Sequence, residues 1–466
     1  MKLKAPALVI SDEEPFRNDL LNREKSAKAL TELIRSTDDP LVLCINGSWG
    51  EGKSTFLAMW RQMLRNEGIK TLFFNAWEND FTDDAFVSLI GDLELGIEEF
   101  SLDPTSKSAV AEHLSKAKKF SSALLKRAIP TVVKIVTAGI VNIDELTDEA
   151  LAEYGERLAD EQIRQYEDSK KSVAGFKEQL TELAKKISGS GSDQPQGGPL
   201  VILIDELDRC RPPYAVRVLE AVKHFFSVSG VVFVLALDRQ QLGHSIRSMY
   251  GTGMDVDGYL RRFIDIDYNL PSPEKGAFCK AQFIRFGLAD YFKTRTGHEA
   301  QYERGQFEEL FSELFEALSF SLREQERTFT VLSLAIRFTS DKSRLHPLLL
   351  GTLILLKIKN HTLYRGFVSG DKSAQDVLGY IESSHKGAEF LKSNYGTALE
   401  AYLVGCRSNR FDHGEIALPY KNVAESPESS ATDKARANQI MRILNTVDNI
   451  LDSLVIKIDL ASNSRE

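Results

Sequence analysis

Over its first half the chain alternates between short apolar runs and longer segments in which apolar residues recur at helical spacing. Short apolar runs bounded by turn-forming residues are typical of strands buried on both faces of a parallel sheet. Four such runs occur, at 41–46, 70–77, 200–208 and 230–238. Segments of helical spacing accompany them at 26–36, 54–68, 83–99 and 213–227. This order predicts an α/β fold in which helices flank a central, mostly parallel sheet.

The second half of the chain has a different pattern, since no strong strand signal follows Pro271. Helical spacing extends through most of six ranges, at 275–295, 304–318, 322–338, 343–358, 373–407 and about 435–460. A polar stretch at 424–433 precedes the last of them. These ranges predict an α-helical C-terminal region.

Residues 104–198 differ in composition from the segments around them. They contain the basic cluster Lys116, Lys118 and Lys119, an apolar stretch at 128–143 and long charged helical patterns at 145–187. A Gly/Ser/Pro-rich linker follows at 188–199. We interpret this region as a helical insertion. The predicted domains are a first core part at 1–103, the insertion at 104–198, a second core part at 199–272 and the helical region at 273–466.

Composition and charge restrict the class of protein. The chain has 466 residues, enough for two or three domains, and a formal net charge of −9, which disfavours a surface that coats nucleic acid. Its four cysteines are far apart and form no CxxC pair, so they suggest neither a metal framework nor a disulfide scaffold. The first residues have no long apolar core typical of a secretory signal, and we expect a cytoplasmic protein.

The loop after the first run carries the clearest chemistry. Gly47, Gly52, Lys53 and Ser54 fit the phosphate-binding pattern G-x-x-x-x-G-K-[ST], in which backbone N–H groups face phosphate oxygens. Lys53 is expected to contact the β- and γ-phosphates, and the Ser54 hydroxyl to ligate Mg²⁺. The other loop positions predicted to contact the nucleotide are Ser48, Trp49, Gly50, Glu51 and Thr55. The alternative is a chance match in a glycine-rich turn, but a buried strand precedes this loop and a helix follows it.

An acidic group ends the third run. In Val201–Asp208 a hydrophobic strand leads into Asp205 and Glu206, the arrangement known as Walker B. Asp205 is the candidate Mg²⁺ ligand, and Glu206 is placed to activate a water molecule. Asp208 is a second candidate base. The alternative is a buried strand whose exposed end is acidic, and the phosphate-binding loop upstream makes that alternative weaker.

Two further candidates carry weaker signals. Asp238 ends the fourth run, where it either senses the γ-phosphate or the attacking water, or caps the helix that follows. Arg261 and Arg262 lie in the segment YLRRFID. One of them is a candidate arginine finger, acting in cis or across a subunit contact, and the alternative is a salt-bridged pair on a solvated helix.

Taken together, these motifs resemble the KAP family of P-loop NTPases, part of the additional-strand group that includes AAA+ and STAND ATPases. The resemblance is carried by the segments GSWGEGKS, FFNAWEND, VILIDELDRCRPP, VFVLALDRQQL and YLRRFID. It implies a P-loop fold and ATP as the nucleotide, and it places Asn22 and Arg23 near the base or ribose. Arg323 is implied as a weaker phosphate contact. The family has Trp at the position of Trp49, for which packing against Trp77 or the insertion is one hypothesis.

Many members of that family carry transmembrane helices between the two motifs. The candidate here, 128–143, is shorter than the roughly 20 apolar residues that a span needs, and it contains Lys134. An internal helix of the insertion is therefore expected. Membrane contact through 116–143, helped by the basic cluster, is the alternative.

The leading functional hypothesis is an Mg²⁺-dependent ATPase that acts as a conformational switch in a protein assembly, because no second catalytic constellation emerges from the sequence. The resemblance implies effector or assembly partners and a role in bacterial antiphage defence, and a homo-oligomer is a further expectation. The alternatives are a nucleotide-binding scaffold with little turnover, a membrane-associated signalling adaptor, a DNA-stimulated AAA+-like ATPase and a small-molecule kinase.

Overall fold

A computed structural model describes most of the chain. The described residues are 2–4, 8–37, 39–82, 85–100, 104–127, 164, 167, 170–171, 174–175, 177–187, 198–225, 228–271, 275–295, 300–340, 343–409 and 413–463. They form two compact units. The sheet unit comprises Ile10–Asn18 and Arg23–Pro271, and the helical unit comprises Met1–Val9, Asp19–Asn22 and Ser272–Glu466.

The sheet unit is built on five parallel strands in the order β2-β3-β4-β1-β5. The strands are β1 (Leu41–Asn46), β2 (Thr71–Asn75), β3 (Leu200–Asp205), β4 (Val231–Leu237) and β5 (Ile266–Asn269). The three central strands β3, β4 and β1 are almost wholly buried, as expected for a parallel sheet covered on both faces. The predicted α/β fold with a central parallel sheet is confirmed.

Helices connect these strands. They are α1 (Glu24–Arg35), α2 (Lys53–Asn66), α3 (Ala85–Glu98), α4 (Pro104–Arg127), α5 (Pro212–Phe225), α6 (Arg239–Tyr250) and α7 (Val256–Leu260). Residues 177–187 are also helical. Apolar residues of α3, α4, 177–187 and α5 share one buried cluster with the sheet. The helices cover the faces of the sheet, so the glycine-rich loop and the acids lie beyond the carboxyl ends of the strands.

The predicted strand positions need two corrections. The third run was expected to continue to Asp208, but β3 ends at Asp205 and Leu207–Arg209 forms a 3₁₀ turn. In addition, β5 was not predicted. It has only four residues and alternates half-buried with exposed positions, so it lacks the continuous apolar pattern of the other strands.

Among the residues described for the helical unit, every regular element longer than a turn is a helix. They are α8 (Lys275–Arg285), α9 (Leu288–Thr294), α10 (Ala300–Ala317), α11 (Leu322–Arg337), α12 (Pro347–Lys359), α13 (His361–Ser369), α14 (Ala374–Glu382), α15 (His385–Lys392), α16 (Asn394–Gly405), α17 (Gly414–Glu425), α18 (Ala431–Leu444) and α19 (Leu451–Asn463). The predicted α-helical C-terminal region is confirmed. Three predicted ranges, at 275–295, 373–407 and 435–460, are each divided by short turns, and α13 and α17 were not predicted.

A cluster of phenylalanines lies in the core of the helical unit. Phe329 of α11 lies near its centre, and its ring is within aromatic contact distance of Phe283, Phe286, Phe311 and Phe315. The closest pair, Phe283 and Phe329, has ring centroids 4.9 Å apart in an edge-to-face arrangement. Such pairs contribute about 0.5–1.5 kcal/mol beyond the burial of their apolar area. The unit therefore has a core of its own.

No helix in the described part of the chain is long and apolar enough to cross a membrane. The apolar stretch 128–143 lies outside the described residues, as does most of 145–176. The expected insertion at 104–198, and the membrane contact considered for 116–143, therefore stay predictions.

A close helix contact in the helical unit gives a test of its packing. A Cβ atom at Gly351 of α12 would lie 2.4 Å from Leu310 Cδ2 and 3.1 Å from Phe311 Cε1 on α10. We expect Gly351→Ala to lower the free energy of unfolding by roughly 1–3 kcal/mol, because the buried side chains of Leu310 and Phe311, or α12 itself, must shift to make room. Urea unfolding measures this change.

Gly305→Ala on α10 is the matched control. Nothing lies within 4 Å of a Cβ atom at this exposed helical position. Alanine should therefore stabilise the protein there by about 0.5–1 kcal/mol, through its higher helix propensity. Equal effects at the two glycines would contradict the close packing of α12 on α10.

Candidate functional site

The predicted site residues of the sheet unit lie mainly at the carboxyl ends of β1, β3 and β4, which are neighbours in the order β3-β4-β1. Parallel strands end at one edge of their sheet, so the loops that follow them meet there. The glycine-rich loop follows β1, the acids Asp205 to Asp208 follow β3, and Asp238 follows β4. Residues distant in sequence are brought together by this strand order.

The loop between β1 and α2 depends on two left-handed glycines. Gly50 and Gly52 both have φ of 81°, a conformation that costs little only for glycine, and Gly52 leads directly into α2. Gly47 is not in the left-handed region, and a Cβ atom there would contact the Lys53 side chain at 3.5 Å. This turn places the N-terminus of α2, with its unpaired N–H groups, beside the strand ends.

Lys53 is held inside the loop. Its Nζ donates to the carbonyl oxygens of Gly47 at 2.6 Å and Ser48 at 3.3 Å, and lies 4.0 Å from Asp208 Oδ2. Only 9% of the residue is exposed. Burial lowers the pKa of Lys53, and the carboxylates of Asp208 and Asp238 oppose that shift. The ammonium group is thus placed among the acids at the strand ends.

The two predicted metal ligands are in contact. The side chain of Ser54, in the first turn of α2, hydrogen-bonds to the carboxylate of Asp205 at the end of β3. The backbone N–H of Glu206 donates to Asp205 Oδ1 at 2.8 Å. Burial raises the pKa of Asp205 to about 6, and these two hydrogen bonds oppose the rise. A hydroxyl and a carboxylate side by side are the hard oxygen donors that Mg²⁺ prefers.

Asp208 joins three parts of the site. Its Oδ2 accepts a hydrogen bond from the Trp49 indole Nε1 at 2.5 Å and another from the backbone N–H of Asp238 at 2.9 Å. The carboxylate is almost completely buried and also faces Lys53. This contact accounts for the indole in the loop, although 44% of Trp49 remains exposed. The proposed packing of Trp49 against Trp77 or the insertion stays a hypothesis.

Asp238 caps a helix and also contacts the loop. Its Oδ1 accepts from the backbone N–H groups of Gln240 and Gln241 at the start of α6, the capping contact considered from the sequence. Its Oδ2 accepts from the backbone N–H of Trp49 at 3.2 Å. The end of β4 is therefore tied to the loop that follows β1.

Arg23 lies beneath the loop. Its Nη1 donates to the carbonyl oxygens of Glu51 at 2.7 Å and Gly52 at 3.4 Å, and its Nη2 to that of Pro271 at 3.1 Å. The residue is almost wholly buried. These bonds support the loop through its carbonyl groups, and the contact with base or ribose that the resemblance implied stays a prediction.

Glu206 and its neighbours form a second cluster, part of which the sequence did not indicate. Glu206 has φ of 59°, and its Oε1 pairs with Arg209 Nη1 at 2.6 Å. The Arg209 guanidinium lies over the Trp77 ring, 5.9 Å from its centroid. Arg209 and Trp77 belong to motifs quoted for the family resemblance, but those motifs assigned neither residue a role. A signal for both was available, because each follows the end of a buried strand.

The remaining candidates are less constrained. Arg261 and Arg262 follow α7 and are exposed, and among the described contacts neither forms a hydrogen bond or ion pair with the loop. Arg323 belongs to the helical unit, at the start of α11. Ser48 contributes its carbonyl oxygen to Lys53, while the Thr55 side chain is exposed. Their proposed contacts with nucleotide stay predictions.

The Trp49–Asp208 bond can be tested by removing the indole N–H. We expect Trp49→Phe to lower the free energy of unfolding by about 1–3 kcal/mol, because a buried carboxylate loses a donor. Urea unfolding measures this effect. Trp77→Phe is the control, since its ring still faces Arg209 and a change within about 0.5 kcal/mol is expected there. Equal losses in both variants would contradict the bond.

The raised pKa of Asp205 predicts a pH dependence of stability in protein without nucleotide or metal. Because its pKa of about 6 exceeds the usual 3.8, the folded protein binds more protons than the unfolded chain between these values. Relative to Asp205→Asn, the wild-type protein should therefore gain up to about 3 kcal/mol as the pH falls from 7 to 4. Denaturant titrations at several pH values measure it. A difference that stays constant, or rises with pH, would contradict the buried carboxylate.

Comparison with known proteins agrees with this geometry. A family model described as the KAP family P-loop domain matches residues 23–285, more than half of the chain. The matched range contains the glycine-rich loop, the acids after β3 and Asp238, and it ends in the helical unit at Arg285. No curated protein matches the chain. The resemblance carried by the motifs is confirmed.

Proposed function

The chain belongs to the KAP family of P-loop domains, and from that premise we propose that it is an Mg²⁺-dependent ATPase. The observation that supports this most directly is the contact between the Ser54 side chain and the Asp205 carboxylate, next to the buried ammonium of Lys53. A hydroxyl, a carboxylate and a cation are thereby gathered at the N-terminus of α2. These are the groups that a nucleotide–metal complex requires.

The nucleotide phosphates fit the backbone of the loop. Gly50 and Gly52 supply the left-handed turns, and the first N–H groups of α2 are directed away from the helix toward a ligand. Lys53 would contact the β- and γ-phosphates, exchanging its carbonyl partners Gly47 and Ser48 for phosphate oxygens. The loop thus offers several donors and a positive charge to an anion that carries several negative charges.

Ser54 and Asp205 would hold Mg²⁺. When bound, the ion would neutralise phosphate charge and orient the phosphates for attack. Asp205 must be ionised for this. Burial raises its pKa by disfavouring the charged carboxylate, and a bound cation would oppose that effect. The hydrogen bond between the two side chains keeps the donors together before any ligand arrives.

Glu206 is our candidate for activating the attacking water, because it follows Asp205 directly and its shortest contact with Arg209 is made through one of its two oxygens, Oε1. We assign Asp208 a different role. Its Oδ2 already accepts two hydrogen bonds inside the protein and faces Lys53. It is therefore better placed to hold the loop than to accept a proton.

We further propose that hydrolysis serves as a switch in a protein assembly. Loss of the γ-phosphate would change the partners of Lys53, and through Asp208 it would affect the contacts of Trp49 and the end of β4. We propose that effector or assembly proteins, including a second copy of this chain, bind differently after that change. A defence role rests on the family resemblance alone.

The enzyme assignment is tested with two variants of the site. We expect Lys53→Ala to lose nucleotide binding, because the loop then lacks its only phosphate-facing ammonium. We expect Glu206→Gln to bind nucleotide normally but to hydrolyse it at least 100-fold more slowly, because the amide cannot take the proton of the water. Phosphate release with Mg²⁺-ATP and Mg²⁺-GTP measures turnover, and nucleotide affinity is measured alongside.

Other results would select another function. Tight binding with no turnover in the wild-type protein would favour a nucleotide-gated scaffold. Turnover that rises on addition of DNA would favour a DNA-stimulated ATPase, despite the net charge of −9. Normal turnover in both variants would refute the site itself. The Arg262→Ala variant also tests whether that exposed arginine contributes to hydrolysis.

A further inference from the structure

We propose that Arg209 is a positioning residue for Glu206, and that the indole face of Trp77 holds Arg209 in place. The inference rests on the proposed hydrolysis. It adds two residues, outside the phosphate-binding loop and the Walker B acids, that turnover would require. The carboxylate of Glu206 would be oriented by two residues that touch neither phosphate nor metal.

The backbone turns sharply at Glu206. This residue has φ of 59°, a left-handed conformation that residues other than glycine rarely adopt. The turn continues through the 3₁₀ segment Leu207–Arg209, in which the N–H of Arg209 donates to the carbonyl oxygen of Glu206 at 3.1 Å. The Glu206 and Arg209 side chains are thereby brought to the same side, and their ion pair closes the turn at 2.6 Å.

Trp77 contacts the guanidinium of Arg209. Its ring lies 5.9 Å from the guanidinium carbon, within the range of a cation–π contact. The loop that carries Trp77 is held at its base by Asn75, whose Oδ1 accepts the backbone N–H groups of Trp77 and Glu78. Asn75 lies opposite Asp205 in the β2–β3 register. Trp77 therefore follows the end of β2, which is the neighbour of β3, and Glu206 follows the end of β3.

The ion pair leaves the chemistry of the carboxylate available. The shortest contact of the pair is made through Oε1, and we assign Oε2 to accept the proton from water. The Glu206 side chain is only 14% exposed and that of Arg209 24%, so the ion pair is partly protected from solvent. Because a misplacement of about 1 Å can lower a rate 100-fold, a glutamate held at one oxygen should act faster than one free to rotate.

A neighbouring arginine provides the matched control. Arg211 lies two residues further along the same loop, but its Nε pairs with Asp80 at 2.9 Å. Removing Arg211 takes away the same type of side chain and leaves the Glu206–Arg209 pair intact. A loss specific to Arg209 can thus be distinguished from a general effect of charge in this loop.

The test is a double-mutant cycle on turnover with Mg²⁺-ATP, with nucleotide affinity and urea unfolding measured on each variant. We expect Arg209→Ala to lower kcat roughly 10- to 100-fold with Kd within about twofold of wild type. Arg209→Lys should lose less and Trp77→Ala less than Arg209→Ala, while Arg211→Ala should stay near wild type. In a Glu206→Gln background, Arg209→Ala should cause no further loss. Added guanidinium ion should restore part of kcat only when Glu206 is present.

The outcomes separate this inference from the function on which it rests. Unchanged or faster turnover in Arg209→Ala would overturn it, and faster turnover would mean that the ion pair holds Glu206 back. A loss that persists in the Glu206→Gln background would also overturn it, since Arg209 would then act by another route. If Arg209→Ala does not fold, Arg209→Lys carries the same comparison. Full turnover in Glu206→Gln alone would refute the proposed water-activating residue, and this inference with it.

Discussion

One buried carboxylate oxygen, Asp208 Oδ2, ties the site together. It receives the indole N–H of Trp49, which lies 159 residues earlier in the chain, and the backbone N–H of Asp238, 30 residues later. A buried carboxylate without partners costs several kcal/mol, so the conformation of the loop, the turn after β3 and the end of β4 are mutually dependent. Lys53 faces the same oxygen. A change in the partners of Lys53 would therefore alter the contacts of the loop, the turn after β3 and the end of β4.

The charges around this oxygen account for the kind of ligand that suits the site. Burial disfavours the charged form of basic and acidic groups alike. It therefore lowers the pKa of Lys53 and raises the pKa of Asp205. Asp208, Asp238 and Asp205 all favour the charged form of Lys53. A ligand that brings phosphates together with a divalent cation would supply partners for the lysine and for the carboxylates at once. This complementarity is the physical basis of the proposed ATPase.

Much of the fold and part of the site could be predicted from local pattern. The runs that became β1 to β4 are apolar because both faces of the strands are covered, whereas β5 is short and half polar and left no such pattern. Ser54 and Asp205 were predicted as Mg²⁺ ligands from the phosphate-binding and Walker B patterns, and the structure brings their side chains into contact. Arg209 was not singled out from the sequence, because its contact with Glu206 depends on a turn at Glu206 that non-glycine residues rarely adopt.

The sequence by itself determined most of the strands and helices and the loop that carries the phosphate-binding pattern, because burial pattern, glycine spacing and capping are properties of neighbouring residues. Only the tertiary structure decided that Trp49 donates to Asp208, that Asp238 both caps α6 and holds the loop, and that Arg209 lies between Glu206 and Trp77. These contacts depend on the strand order β2-β3-β4-β1-β5. That order is set by packing the whole sheet, because hydrogen bonding and burial between strands join residues that no local spacing relates.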